Sequence, residues 1–398
     1  MMVNFTRYLP THFVFGRGVE NQTGAEIRKL GGTKVLLHFG GGSAVRSGLI
    51  ARVEKSLADA GLASVTLGGA LPNPRDTKIY EGIELIRREG IDFVLAVGGG
   101  SAIDSAKAMA HGAVYGGDFW DFFSGKAAPE RTLPVGVVLT MSAAGSESSN
   151  SCVITQESTK TKRGLRSELN RPVLAIMNPE LAMSVPPYQI ACGATDILAH
   201  VMERYFTNEP DCDLTDRLCE ATMISVVRAA RIAMKDPGDY GAAAQLMWAG
   251  TIAHNETVGV GRVPDFASHQ IEHELSAMYD VAHGAGLAAV FPAWLRFMLE
   301  KPDKVMRIAQ FGVRVWGCEM DFERPDRTAL LGIEAYERWL REIGMPLSFR
   351  ELGAKPEDIP AMAGNVRRTN PDGTVGQFYR LNTEDIERIY RIAADRDD

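Results

Sequence analysis

The stretch FVLAVGGGSAIDSAK, residues 93–107, joins an apolar run to a glycine-rich turn and then to a helical pattern. The tetrapeptide GGGS occurs a second time at residues 40–43, directly after the run VLLHF. A short apolar run followed by a glycine turn and a helix is one βα unit. Its repetition predicts a parallel sheet with helices on both faces.

Strand-like and helix-like patterns alternate through the first half of the chain. The predicted strands are residues 34–39, 63–67, 93–97, 133–139 and 173–177, and the predicted helices are residues 46–60, 76–89 and the segment from 101 onward. The helix at 76–89 has the clearest signals, because Asp76 stands at its start, isoleucines recur at helical spacing and Gly90 follows its end.

From residue 187 onward the patterns are helical, with almost no strand candidates. The last helix follows Asn382 and Thr383, and one of its faces carries Ile386, Ile389, Tyr390 and Ala393. The sequence therefore predicts an α/β, Rossmann-like domain with a parallel sheet at residues 1–186 and an all-helical domain at residues 187–398.

Composition and charge exclude several classes of protein. The 398 residues are 45% hydrophobic and 23% charged, which is typical of a globular chain rather than a disordered one. The net charge is -7 and no basic block is present, so we expect no nucleic acid partner. The apolar stretch at 284–295 contains Pro292 and is shorter than the roughly 20 residues of a spanning helix, so we expect no membrane partner.

The five cysteines contain no C-x-x-C pair and no thiolate zinc pattern. The N-terminal residues also lack the continuous apolar region of a signal peptide. Reduced thiols without an export signal are typical of a cytoplasmic protein, and we expect that location.

The two GGGS turns are candidate anion sites. Glycine allows a close backbone approach, and the helix that follows offers unpaired N–H groups to a pyrophosphate. The alternative is that they only make tight βα connections, since neither matches G-x-G-x-x-G. A third segment, TMSAAGSESSN at 140–150, could complete the pocket or could be a solvated serine-rich loop.

The first GGGS turn also bears on the choice of dinucleotide. Sites that select NAD usually place a carboxylate at the end of a strand, where it holds the ribose 2′-hydroxyl and repels a 2′-phosphate. Here glycines and Ser43 take that place, and Arg46 follows one turn into the helix. NADP(H) is therefore the preferred cofactor, with NAD as the alternative.

Two segments carry a candidate metal set. GATDILAH at 193–200 puts Asp196 and His200 four residues apart on one helix face, and ASHQIEHELSAMYDVAHGAGLA at 267–288 adds His269, His273 and His283. On one straight helix His269 and His283 would lie about 21 Å apart, so both can bind one ion only if the chain turns back between them, and we expect that turn around residues 279–282.

Asp196, His200 and two of the three other histidines make a set of three nitrogens and one oxygen, which suits Fe²⁺ or Zn²⁺. The remaining histidine would border the site and could relay a proton, or it could be a core histidine bonded to a backbone carbonyl. The metalloprotease pattern H-E-x-x-H fails, because Ser276 and Ala277 stand where it continues.

The strings THFVFGRG, GGGSAVRSG, LPNPR, AVGGGSAIDSAK, GSE, NPEL, GATDILAH and HQIEHELSAMYDVAHGAGLAAVFP resemble the iron-containing (group III) alcohol dehydrogenases, close to full length. The butanol dehydrogenase and broad aldehyde reductase branch is the most similar. The resemblance implies a dinucleotide-binding α/β domain, a helical metal-binding domain and an active site in the cleft between them.

The resemblance also implies roles for individual residues. The metal ligands would be Asp196, His200, His269 and His283, and the catalytic histidine near nicotinamide and substrate would be His273. The pyrophosphate loop would be Gly98, Gly99, Gly100 and Ser101, and the adenosine side would include Gly41, Gly42, Ser43 and Asn73. The rest of the cofactor-binding set is Asp104, Thr140, Ser146 and Lys162. Two positions depart from the family pattern: Ala144 replaces a threonine, and Ile197 replaces an alanine.

The expected function is a metal-dependent, NADP(H)-linked alcohol dehydrogenase or aldehyde reductase that acts on small uncharged alcohols and aldehydes. Phe266 and Tyr279 near the metal segment would suit such substrates, although apolar and aromatic residues are more often part of the core. A related-fold polyol(-phosphate) dehydrogenase or lyase would need cations near the metal, and residues 267–288 contain no Lys or Arg. A non-catalytic nucleotide-binding protein is the other alternative, and the family resemblance implies a homodimer or a higher homo-oligomer.

Overall fold

Apolar runs of the first half form the strands, because β-branched and aliphatic side chains pack well on a buried pleated sheet. The computed structural model describes residues 2–143 and 145–396, so the departure at Ala144 lies outside the described residues. The strands are β1 (His12–Phe15), β2 (Lys34–Gly40), β3 (Ala63–Ala70), β4 (Phe93–Gly98), β5 (Val135–Leu139), β6 (Ser151–Gln156), β7 (Thr161–Arg166) and β8 (Leu174–Met177).

The helices follow the glycine turns in the first half and dominate the second half. They are α1 (Thr23–Lys29), α2 (Ser43–Arg46), α3 (Leu49–Asp59), α4 (Asp76–Glu89), α5 (Gly100–Val114), α6 (Trp120–Ser124), α7 (Pro187–Tyr205), α8 (Asp213–Lys235), α9 (Tyr240–His254), α10 (Ala267–Tyr279), α11 (His283–Met298), α12 (Pro302–Trp316), α13 (Pro325–Glu342), α14 (Phe349–Leu352), α15 (Ile359–Asn365) and α16 (Thr383–Ala394). Among the described residues, no helix is both long and apolar enough to cross a bilayer.

The chain divides into two units. The α/β unit comprises Tyr8–Val185 and Gly238–Asn255, and the helical unit comprises Met1–Arg7, Pro186–Pro237 and Glu256–Asp398. One boundary at residue 186 does not describe this division. Helix α9 belongs to the α/β unit because Trp248 packs edge-on against Phe13 and Phe15. The first residues belong to the helical unit, where the Val3 amide donates to the Gly261 carbonyl at 2.8 Å.

In the described part of the α/β unit, six strands form a parallel sheet in the order β1-β8-β5-β4-β2-β3. Strands β6 and β7 pair antiparallel beside it. The predicted fold class, a parallel α/β domain followed by a helical one, is confirmed. Strands β1, β6 and β7 were not predicted from the sequence, because the apolar runs of β1 (HFVF) and β6 (SCVITQ) are only three residues long and β7 (TKRGLR) has none.

Both faces of the sheet are covered, as the apolar character of its strands predicts. Successive side chains of a strand point to opposite faces. On β2, Val35 and Leu37 join one buried cluster and Leu36 joins the other. On β4, Leu95 and Ala96 are divided in the same way. The sheet is therefore the middle layer between two helical layers.

Helix α4 has the predicted limits, and Gly90 ends it with φ 64. One detail of the prediction is wrong: the capping position is Arg75, and Asp76 is the first helical residue. The Asp76 carboxylate instead accepts from the backbone amides of Thr77 and Glu157, at 3.0 and 3.1 Å. It thus ties the start of α4 to the end of β6.

Two helices of the helical unit show how it is packed. The predicted apolar face of α16 is confirmed, since Ile386, Ile389, Tyr390 and Ala393 are all fully buried. Helix α11 is buried along almost its whole length and continues through Pro292. A helix that is apolar on all sides belongs in a core. Its first residue, His283, is therefore held on the central helix of the unit.

Candidate metal centre and dinucleotide site

Three helices bring the four predicted metal ligands together. Helix α7 carries Asp196 and His200 one turn apart, α10 carries His269, and α11 begins at His283. The predicted reversal is confirmed, because α10 ends at Tyr279 and the next residue is left-handed with φ 53. The turn brings two histidines that are fourteen positions apart to the same carboxylate.

The geometry centres on one carboxylate oxygen. The Nε2 atoms of His200, His269 and His283 lie 3.5, 3.8 and 3.7 Å from Oδ1 of Asp196. Two atoms that bind one ion tetrahedrally at about 2.1 Å are separated by about 3.4 Å. Each imidazole nitrogen is therefore close to the distance from the Asp196 oxygen that a shared ion requires, and the ligand atoms of Asp196, His200 and His269 also lie within 4.8 Å of one another.

Burial supports the same interpretation. Asp196, His200 and His269 are at most 6% exposed. Oδ1 of Asp196 and Nε2 of His269 are buried and have no hydrogen-bond partner within the described residues. Buried polar atoms are rarely left unsatisfied, because this costs free energy. A divalent ion would satisfy both atoms, and a set of three nitrogens and one oxygen suits Fe²⁺ or Zn²⁺. The residues fit the predicted metal.

The electrostatics of the site favour a cation. Burial alone would lower the pKa of His269, but its interactions with Asp196 and Glu203 outweigh burial and raise the pKa to about 9. Without metal, the His269 imidazole would therefore be cationic near neutral pH, with a proton on each ring nitrogen. An ion that binds one of these nitrogens must displace its proton.

Two buried carboxylates also contact these imidazoles. Neither was predicted from the sequence. Oε1 of Glu203 lies 2.8 Å from Nδ1 of His269, and Oε2 of Glu272 bonds to Nδ1 of His283. Both glutamates are fully buried. A signal was present in the sequence, because each glutamate stands three residues after a predicted histidine ligand.

His273 lies beside the candidate metal site. It is one helical turn after His269 on α10, and its ring centroid is 5.5 Å from that of His283. Ligand-type atoms of His273, His283 and Glu272 lie within 4.8 Å of one another. The ring of His273 is only partly buried, so the core-histidine alternative is less well supported.

Phe266 packs its ring against two of the candidate ligands. Its ring meets His200 and His269 edge-on, with centroids 6.0 and 5.4 Å apart, and the Arg204 guanidinium lies 4.9 Å from its centre. The backbone of Phe266 is left-handed at φ 59. This conformation costs a bulky residue about 1–3 kcal/mol, so the local packing must stabilise it.

The predicted aromatic residue Tyr279 has a different environment from Phe266. Its hydroxyl bonds to the Asp358 carboxylate and accepts from the Lys355 amide at 3.0 Å. It also lines a cavity of about 690 Å³ with Tyr188 and residues 280–282. This cavity lies in the helical unit, beside the turn that leads to His283.

The two glycine turns meet at one point of the sheet. Strand β3 lies beyond β2 on one side, whereas β5 and β8 lie beyond β4 on the other, so the order in which strands are added to the parallel sheet reverses between β2 and β4. Ligands of open α/β sheets bind at such a point, at the carboxyl ends of the strands. The turns at 40–43 and 98–101 follow these two strands.

The glycines leave room for a ligand. A Cβ added at Gly41 or Gly100 would have no atom within 4 Å, so both positions face open space. Helix α5 begins at Gly100, and its first N–H groups have no partner within the helix. An anion that approaches this backbone would meet both the N–H groups and the positive end of the helix dipole.

The other predicted cofactor residues fall into three places. Thr140 follows β5, and its amide donates to the Gly98 carbonyl at 3.1 Å. Nζ of Lys162 donates to Oδ1 of Asn73 at 3.1 Å. The hydroxyl of Ser146 bonds to Asp104. The structure thus brings these residues together in pairs.

The pair of Asp104 and Ser146 belongs to a buried network. Nζ of the fully buried Lys107 donates to the Ser146 hydroxyl at 2.9 Å and lies 3.7 Å from the Asp104 carboxylate. Burial raises the pKa of Asp104 and lowers that of Lys107. Residues 146–150 are all buried. The alternative that the segment 140–150 is a solvated loop is therefore wrong for these residues.

Comparison with known proteins places both units in one family. The model of the iron-containing alcohol dehydrogenases matches residues 10–179, and the model of the C-terminal part of the Fe-containing alcohol dehydrogenase family matches residues 190–394. The NADH-dependent butanol dehydrogenase A of Clostridium acetobutylicum is 35% identical over 390 residues, covering 98% of this chain and 99% of the relative.

Two further comparisons support membership of the same family. The NADPH-dependent aldehyde reductase YqhD of Escherichia coli is 32% identical over 400 residues, covering 98% of this chain and 100% of the relative. The crystal structure of NADH-dependent butanol dehydrogenase A from Thermotoga maritima matches with a TM-score of 0.94 and 40% identity over 99% of each chain. Since the matches extend over both units, the chain belongs to the iron-containing alcohol dehydrogenase family and is an NAD(P)-dependent, metal-containing alcohol dehydrogenase.

Proposed function

We propose that the protein reduces small uncharged aldehydes with NADP(H) and oxidises the corresponding alcohols in reverse. The observation that carries this proposal is the approach of three imidazole nitrogens to one oxygen of Asp196, at 3.5–3.8 Å. Asp196, His200, His269 and His283 would hold Fe²⁺ or Zn²⁺. When bound, such an ion supplies Lewis-acid chemistry that polarises a carbonyl and lowers the pKa of an alcohol. The nicotinamide supplies or accepts the hydride.

The residues around the metal site would prepare the substrate. Phe266 covers one side of His200 and His269 and excludes water from the ligands. His273 lies next to His283 and is partly exposed, so it would deliver a proton to the substrate oxygen during reduction and remove it during oxidation. Histidine suits this task because its ordinary pKa is close to neutral pH.

The preference for an uncharged substrate follows from the charges near the ligands. The segments that carry His269 and His283 contain no Lys or Arg, and Arg204 is occupied by the Phe266 ring and the His200 carbonyl. A polyol phosphate would lack a cation to neutralise it here. This supports the dehydrogenase over the related-fold alternatives.

The preference for NADP(H) rests on the turn after β2. Gly40–Ser43 offers no carboxylate to the ribose, and the Arg46 guanidinium reaches back to Gly42, so that a Cβ at Gly42 would lie 3.1 Å from Nη1. An arginine at this place would favour a 2′-phosphate. The relatives divide on this point, since the butanol dehydrogenases named above are NADH-dependent and YqhD is NADPH-dependent.

The test is turnover after metal reconstitution. The metal-free protein is loaded with Fe²⁺, Zn²⁺ or no metal, and oxidation of NADPH and NADH is followed with a series of two- to eight-carbon aldehydes. We expect activity only with metal and a higher kcat/KM with NADPH. Absence of metal-dependent oxidation across the series would support the non-catalytic alternative instead. A preference for phosphorylated substrates would contradict the uncharged-substrate proposal.

The proposed function also includes a cellular location and an oligomeric state for the protein. We infer a cytoplasmic homodimer or larger homo-oligomer. The location is supported by the cysteines, all five of which are free thiols, four of them buried. Light scattering coupled to gel filtration measures the assembly, and a monomeric mass at micromolar concentration would contradict it.

A further inference from the structure

Among the described residues of the helical unit, two glutamate side chains have no exposed surface, although a buried carboxylate is costly unless it is paired. They are Glu203 on α7 and Glu272 on α10. Neither belongs to the predicted ligand set. Their contacts indicate why the protein retains two negative charges in this place.

Glu203 holds His269 by two hydrogen bonds. Its Oε1 accepts from Nδ1 of the ring at 2.8 Å and from the backbone amide of the same residue at 3.0 Å. A carboxylate can only accept, so Nδ1 must carry the proton. In the neutral ring that binds a metal, the lone pair is then on Nε2, which is the atom that faces Asp196 at 3.8 Å. Glu203 thereby sets both the tautomer and the orientation of this imidazole.

Glu272 acts on His283 in the same way. Its Oε2 accepts from Nδ1 of His283, and its Oε1 accepts from the Ser276 hydroxyl. Nε2 of His283 faces Asp196 at 3.7 Å. The His283 side chain is 25% exposed and stands at the first residue of α11, so it depends more than His269 on a partner that fixes its ring.

Gly286 supplies an independent observation. It lies one turn after His283 on α11, and a Cβ at this position would be 2.4 Å from Oε1 of Glu272 and 2.8 Å from its Cγ. The Glu272 carboxylate therefore occupies the space that any other residue at position 286 would fill. Helices α10 and α11 are fitted around this carboxylate.

The charge balance supports a role toward a cation. A divalent ion with three neutral imidazoles and Asp196 retains one positive charge. Glu203 and Glu272 add two negative charges, each separated from the ion by one imidazole ring. Their hydrogen bonds to Nδ1 also make Nε2 of the same ring a stronger electron-pair donor to the metal. We propose that Glu203 and Glu272 are positioning residues that hold His269 and His283 for the metal and set its affinity, an inference that rests on the proposed metal centre.

The test measures metal binding rather than turnover. Glu203→Gln and Glu272→Gln remove the charge with little change of shape, and Glu274→Gln is a matched control on the same helix. Dissociation constants for Zn²⁺ and Co²⁺ are measured by competition with a coloured chelator. We expect both test variants to bind about 10- to 100-fold more weakly, with a changed Co²⁺ absorption spectrum, whereas the control keeps the wild-type affinity.

Thermal unfolding with and without metal separates positioning from a structural role. Metal stabilises the folded state in proportion to the logarithm of its affinity, so the metal-dependent rise in Tm should shrink in Glu203→Gln and Glu272→Gln. A merely structural role would lower both melting temperatures equally and leave the rise unchanged. That result, or affinities within twofold of wild type, would overturn the proposal.

A second pair of variants tests Glu272 through its neighbour. Gly286→Ala should push the carboxylate from His283 and weaken Zn²⁺ binding, but in a Glu272→Ala background the same methyl has nothing to displace. The two effects should therefore be non-additive. An equal effect of Gly286→Ala in both backgrounds would contradict the inference. If the wild-type protein itself bound no divalent ion, the proposed function would fail first, and the two failures are thus distinguishable.

Discussion

Substitution of Gly100 by alanine should weaken dinucleotide binding without destabilising the fold. Gly100 is the first residue of α5, its φ is not positive, and a Cβ there would contact no atom within 4 Å. Alanine should therefore fit the folded chain and could stabilise the helix by up to about 1 kcal/mol. The same methyl would occupy the open space in which we place the pyrophosphate.

The expected loss of affinity follows from the contacts that the methyl would block. A hydrogen bond from a backbone N–H to a charged phosphate contributes about 1.5–3 kcal/mol, which corresponds to a roughly 10- to 150-fold weaker Kd for NADPH. Gly41→Ala should behave similarly, because its Cβ would also face open space. Calorimetry or NADPH fluorescence measures the Kd, and Tm reports folding.

The control lies on the same helix. A Cβ at Gly112 would meet Cδ1 of Ile83 at 2.2 Å, so Gly112→Ala should lower Tm and leave the Kd of the folded protein unchanged. The pattern of a stable Gly100→Ala that binds poorly and an unstable Gly112→Ala that binds well would support the site. Wild-type NADPH affinity in Gly100→Ala would show that the dinucleotide does not approach the start of α5, and the argument from the glycine turns would fail.

Three other predictions address separate parts of the molecule. His269→Ala should abolish metal retention and turnover and leave NADPH binding nearly intact; metal analysis after gel filtration checks it, and retained activity excludes the ligand assignment. Arg46→Ala should weaken NADPH binding more than NADH binding, and equal losses would remove the argument for NADP(H). Burial lowers the pKa of His38 to about 4. Because the unfolded chain binds the proton first as pH falls from 6.5 to 4, stability should fall by on the order of 3 kcal/mol in this window. His38→Leu should lose that part of the pH dependence in urea titrations, and an unchanged slope would contradict it.

The fold could be predicted from the strands whose apolar pattern is unambiguous in the sequence. Strands β2, β4 and β5 are buried on both faces, so their apolar runs are continuous and visible in the sequence. Strand β7, with the sequence TKRGLR, could not be recognised in this way, because its pairing with β6 depends on contacts distant in the chain. The same limit applies to α9, which Trp248 ties to the α/β unit although the neighbouring helices belong to the other one.

The candidate ligands could be predicted because imidazole and carboxylate groups bind Fe²⁺ and Zn²⁺, and because two of them, Asp196 and His200, share one helix face. The buried glutamates could not be assigned from spacing, even though each follows a histidine by three residues. On a single helix, His200 would be paired with Glu203 and His269 with Glu272. In the structure the pairing is crossed: Glu203 of α7 contacts His269 of α10, and Glu272 of α10 contacts His283 of α11.

This crossed pairing has a physical consequence for the three helices. Each hydrogen bond joins one helix to the next, so the imidazoles are oriented only after α7, α10 and α11 have packed together. The ligand geometry is therefore a property of the assembled core rather than of any local motif. Because Gly286 has no side chain, the Glu272 carboxylate fits against α11, so a residue outside the candidate ligand set also controls how α10 and α11 pack. Metal affinity in this unit should consequently respond to helix packing, and variants that loosen α11 should lose the ion before they lose the fold.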